Sequence, residues 1–84
     1  MTKEITTRTQ AHRDAFKVLL RREMSDHGVS IRKLASRTGI SISAIVKYRG
    51  GERDVPLSWV YILAEGIGCH PMTLIPADPA MMMR

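Results

Sequence analysis

Apolar residues return every three or four positions along the first long stretch of this chain. Phe16, Leu19, Leu20 and Met24 mark one face between Ala11 and Gly28, which is the period of an amphipathic helix. Arg13, Lys17, Arg21 and Arg22 occupy much of the other surface, and His27 with Gly28 suits the helix end. The segment before it is polar, threonine-rich and without a period, so 1–10 reads as a flexible arm.

Two shorter helical patterns follow. Ser30 can cap the first, in which Ile31, Leu34 and Ala35 form an apolar stripe and Arg32, Lys33 and Arg37 an outer surface. Gly39 ends it where a tight turn needs a residue free to adopt positive φ. Ile40 is then a core plug, and Ser41 a cap for a helix reaching about Arg49, anchored by Ile45 and next by Tyr48. The β-branched Ile42, Ile45 and Val46 lower the propensity of this helix slightly, so packing against its neighbour must hold it. Gly50 and Gly51 stop it.

Gly50 to Pro56 is a polar turn, and Pro56 is placed to open another helix with Leu57, Val60, Leu63, Ala64 and Ile67 as its apolar face. Trp59, Tyr61 and Ile62 make that helix apolar on more sides than one stripe requires. It is therefore either the central strut of a bundle or a helix that lends surface to a partner subunit. Gly66 and Gly68 weaken its last turn. Pro71 can start a short terminal helix with Met72 and Ile75 turned inward, and Pro76 and Pro79 end regular structure. The predicted organisation is a flexible arm over 1–10, an all-α domain of four to five helices over 11–75 and a flexible tail over 76–84.

Eighty-four residues have room for one small core and one domain. The net charge of +5 favours an anionic partner, without separating DNA from RNA or an acidic membrane surface. Cys69 is the only cysteine, so no intrachain disulfide forms, in keeping with a reducing compartment. The start of the chain lacks the apolar run of a signal peptide, and no stretch is long and apolar enough to span a membrane. A cytoplasmic protein is expected.

The stretch from Val29 to Gly51 carries the functional reading. Two short helices joined at a glycine form a helix-turn-helix, whose second helix can enter the DNA major groove while the first fixes its depth and angle. Ile42 and Ser43 then lie nearest the base edges, with Val46 and Lys47 one turn further along. Ser43 can donate to or accept from a base, Ile42 or Val46 can touch a thymine methyl, and Lys47 can reach guanine or a phosphate. Ser30, Arg32, Ser41, Arg49 and Arg53 are candidate phosphate contacts. Arg32, Lys33 and Arg37 fit an ordinary solvated face equally well, and Ile42 has the alternative of closing the core. The helix lacks the Gln, Asn or inward-facing Arg of the strongest base contacts, so DNA shape or a partner half-site should supply more of the specificity.

The segments Ser30 to Ala35 (SIRKLA), Thr38 to Val46 (TGISISAIV), Gly51 to Pro56 (GERDVP) and Leu63 to Gly68 (LAEGIG) bear a family resemblance. The region from about Phe16 to Ile75 resembles the Cro/CI-type, or XRE-like, helix-turn-helix family of phage repressors and bacterial regulators. That resemblance implies a compact lambda-repressor-like DNA-binding domain, often a dimer, that binds operator DNA to repress or sometimes activate transcription. The family's core positions fall on Leu34, Ala35, Ile40 and Ile45, and its exposed start of the recognition helix on Ser41, Ile42 and Ser43. Two positions depart from the family. Ile31 stands where many members carry a glutamine that braces a phosphate, and Ile42 where a polar residue is frequent.

The function expected from these readings is a sequence-specific regulator, a repressor binding a short inverted repeat of double-stranded DNA as a homodimer. One small domain makes few base contacts, and two half-sites multiply them. Trp59, Tyr61, Ile62 and Met72 are the candidate subunit contact, or else complete the core. The alternative is an antitoxin-like module that neutralises a protein partner and binds DNA with it. A third possibility is an architectural binder with little sequence preference. His12, His27, His70 and Cys69 form no ligand spacing, so neither a metal nor a cofactor is expected. Nor is there a carboxylate pair, Ser-His arrangement or phosphate-cradling loop for an enzyme.

Overall fold

The computed structural model describes the backbone of residues 2–76 and the side chains of residues 10–76. It runs α1 (Thr2–Asp26), α2 (Ile31–Thr38), α3 (Ile42–Arg49) and α4 (Leu57–Ile67), then a 3₁₀ turn over Pro71–Leu74, with no strand among the described residues. The all-α fold expected from the patterning is the fold observed.

The residue pattern and the backbone part company at both ends. α1 begins at Thr2 and not near Ala11, so the irregular segment expected over 1–10 is helical from Thr2 onward. Periodicity registers a helix only where it buries a stripe. Once a helix is nucleated, each added residue gains a hydrogen bond without needing one. At the other end, the short terminal helix is a single 3₁₀ turn. Leu74 turns inward to complete burial and Ile75 packs at the edge of the core, whereas Met72 is 63% exposed, contrary to the expectation that Met72 points inward. Apart from Pro76, the expected tail lies outside the described residues.

Each segment contributes one large side chain that is fully buried: Leu20, Leu34, Ile45, Leu63 and Leu74. Burying such a side chain is worth about 1.5–3 kcal/mol. Phe16, Met24, Val29, Ile40, Tyr48, Val60, Ala64 and Ile67 complete the core around them. Tyr48 meets Trp59 edge to face, with ring centroids 5.9 Å apart at 88°, which locks α3 against α4. Gly51 turns at φ 73°, where a Cβ would stand 3.2 Å from the Asp14 carboxylate of α1. Gln10 donates to the Gly51 carbonyl and Arg13 to Asp54, so the loop after α3 is strapped to α1.

The junction of α2 and α3 is fastened by several local bonds. Gly39 takes φ 78° and its N–H reaches the Ala35 carbonyl, closing α2 in the left-handed conformation expected of it. Thr38 adds a latch: its hydroxyl donates to the Leu34 carbonyl at 2.8 Å and accepts from the Ile40 N–H at 3.1 Å. Ile40 is thereby delivered into the core.

Candidate nucleic-acid interface

The leading ends of both short helices are set by serine. Ser30 accepts from the Lys33 N–H and Ser41 from the Ala44 N–H, each at 3.1 Å. A capping serine spends an acceptor position of its oxygen and keeps its O–H, so both hydroxyls remain donors toward an approaching anion.

Ile45 and Tyr48 turn inward from α3, and the helical period carries Ser43 and Val46 away from them, with Ile42 at the margin between the two faces. Ile42 is 47% exposed and Val46 45%, so Ile42 does not close the core. Lys47 sits half-buried beside this face. Three of the four residues singled out for base reading, Ile42, Ser43 and Val46, are therefore exposed on this outer surface, with Lys47 at its edge.

The candidate phosphate residues divide. Ser30, Arg32 and Arg49 line one shallow depression with Arg21, Ser25, Met24, Val29 and Ile31, where the end of α1, the start of α2 and the end of α3 converge. No carboxylate is among its lining residues, which suits an anion. Ser41 caps α3 and does not line this depression. Arg53 lines a different, mainly apolar cleft with Arg13, Phe16, Leu57, Val60 and Leu74. The structure thus groups three of the five candidates and separates Arg53 from them.

Other arginines are committed elsewhere. Arg37 donates to the Gly66 carbonyl at 2.9 Å, tying α2 to the last turn of α4. Arg13 pairs with Asp54 at 2.8 Å, and that hydrogen bond pushes the arginine pKa further above its ordinary value, against a smaller lowering by burial. Arg21, by contrast, was legible only as part of a basic helix surface. The structure brings it to the depression and bonds its Nε–H to the Arg49 carbonyl at 3.0 Å. Nothing in the spacing of α1 signals that partner, which lies on another helix.

The residues considered for subunit contact also separate. Trp59 is half-buried against Tyr48, within the core's edge. Tyr61 is 51% exposed and lies one turn from Leu57, which is 61% exposed and was read as core. The Leu57 assignment is corrected: the stripe of α4 that packs inward runs through Val60, Leu63, Ala64 and Ile67, and Leu57 lies at its margin. Ile62 lies around the helix beside Arg37, Thr38, Glu65 and Gly66. Cys69 is half-buried and packs on the core.

Among the described residues no group of His, Cys, Asp and Glu is arranged to hold a metal ion, and no helix is long and apolar enough to cross a membrane. A family model described as a Cro/C1-type HTH DNA-binding domain matches residues 19–79. Comparison with curated proteins returns no match.

Proposed function

The chain belongs to the Cro/C1-type helix-turn-helix DNA-binding domain family, and from this premise we propose that it is a sequence-specific transcriptional regulator. It acts as a repressor, bound as a homodimer to a short inverted repeat and without catalysis of its own, on DNA in the cytoplasm. The observation that carries this reading is the outward strip of α3: apolar Ile42 and Val46 are left exposed beside Ser43, with the basic depression of Arg21, Arg32 and Arg49 nearby. Exposed β-branched residues on a short helix gain nothing in water, and they fit thymine methyl groups in a major groove.

In this reading Ile42, Ser43, Val46 and Lys47 face base edges. Ser30, Arg32 and Arg49 hold phosphates beside them, Ser41 donates from the helix start, and Arg53 meets the backbone further out. Leu57, Tyr61 and Met72 supply apolar surface for a second copy, consistent with their exposure. The same exposed apolar residues suit a different protein partner, which is the observation favouring an antitoxin-like role.

Selection of bound sequences from random duplexes at near-physiological salt tests the proposal. A palindromic motif is the expected result. Steep salt dependence with no motif would instead identify an architectural binder, because phosphate contacts alone carry no sequence information. Negligible affinity for every duplex in the absence of a protein partner would favour the antitoxin-like role.

A further inference from the structure

The last four carbonyls of a helix have no continuing turn to bond them. In α3, three find backbone donors just beyond the helix: Val46 accepts from Gly50 at 3.0 Å, Lys47 from Glu52 at 3.0 Å and Tyr48 from Gly51 at 3.2 Å. The fourth, Arg49, accepts from a side chain on another helix, the Nε–H of Arg21 at 3.0 Å. The exit of the recognition helix is thus completed by α1. A cation at this end also complements the helix dipole.

Nε is the inner donor of the guanidinium group, and its use leaves the N–H groups of both terminal nitrogens. Arg21 is exposed and lines the basic depression with Arg32, Arg49 and Ser30. One planar side chain can therefore bond the end of α3 and an anion in the depression simultaneously. Lysine cannot do this in the same way, since its donors radiate from one nitrogen on a flexible stem.

We propose that Arg21 is a positioning residue for sequence reading: it pins the end of α3 through the Arg49 carbonyl while its outer N–H groups engage a DNA phosphate. The inference rests on the regulator reading above. α3 has only eight residues and two buried anchors, Ile45 and Tyr48, so a change at its exit alters the angle at which Ile42, Ser43 and Val46 meet the bases. Docking on the backbone and orientation of the reading strip are then set by one group.

The test measures full-length wild type, R21K, R21Q and R32Q against the selected motif and a scrambled duplex, across a salt series, with thermal melts alongside. R21K keeps the charge, so its salt slope and melting temperature should match wild type while its motif-to-scrambled affinity ratio falls about tenfold. R21Q should lose the ratio to a similar extent and also reduce the salt slope by about one per subunit. R32Q, a phosphate contact alone, should weaken both duplexes together and leave the ratio intact. A wild-type ratio in R21K overturns the positioning role. So does a loss in R21Q that is equal on both duplexes. If wild type itself selects no motif, the regulator reading falls first and this inference with it, which distinguishes the two failures.

Discussion

Ser30 and Ser41 show how a single side-chain oxygen sets up a binding surface. Each caps an eight-residue helix whose first amides would otherwise lack partners. Replacing Ser41 with alanine should cost about 1 kcal/mol of stability, whereas glycine should cost only a few tenths; thermal or denaturant melts of the two variants check the difference. On the same helix, neighbouring apolar residues should behave oppositely. Ile45 is fully buried, and Ile45→Ala should cost about 2–5 kcal/mol. Ile42 is 47% exposed, so Ile42→Ala should stay within about 0.5 kcal/mol of wild type in urea denaturation while altering the sequences selected from random duplexes. A large loss of stability in Ile42→Ala would place that residue in the core after all. Both were legible as apolar helix positions; only the packing of α3 on its neighbours assigns one inward and the other outward.

At the scale of elements, Gly66 is the informative contact. In the sequence it reads as a weak point in the last turn of α4, but it is buried where α4 crosses α2. A Cβ there would stand 2.6 Å from Thr38 Cγ2 and 2.8 Å from Leu34 Cδ1. Leu34 is fully buried, and Thr38 is held by hydrogen bonds to the Leu34 carbonyl and the Ile40 N–H, so neither has an easy retreat. Gly66→Ala would gain about 1 kcal/mol of helix propensity, yet overpacking costs about 1–3 kcal/mol. The prediction is a net fall in melting temperature, and a rise would show that the helices can part without penalty. Spacing alone could place Gly66 on α4, not opposite Thr38, because that proximity belongs to two helices distant in the chain. The 3₁₀ turn carries the same lesson, with Leu74 inward and Met72 outward where a full helix was expected to bury Met72.

For the whole molecule, the net charge of +5 becomes meaningful through its distribution. Arg13 is neutralised by Asp54, and Arg37 is tied to the α4 backbone, whereas Arg21, Arg32 and Arg49 surround a depression free of carboxylate. On α4, Leu57 and Tyr61 leave two exposed apolar side chains one turn apart. If that face joins two copies, the double substitution Leu57→Glu and Tyr61→Glu should leave the melt largely unchanged, since exposed sites away from the core tolerate change. It should convert the protein to a monomer in analytical ultracentrifugation and weaken its binding to a palindrome far more than to a half-site. An unchanged sedimentation coefficient would move the subunit contact elsewhere.

The sequence by itself determined the helical segments from α2 to α4, the glycine turn between α2 and α3 and the two serine caps. These depend on local bonds and on the period of one helix, so neighbours along the chain suffice to read them. Tertiary structure decided which arginines meet, why Gly66 must be small, which way the terminal turn faces and what completes the end of α3. Those are contacts between segments far apart in the chain, and the direction of a basic side chain across such a gap has no period to reveal it.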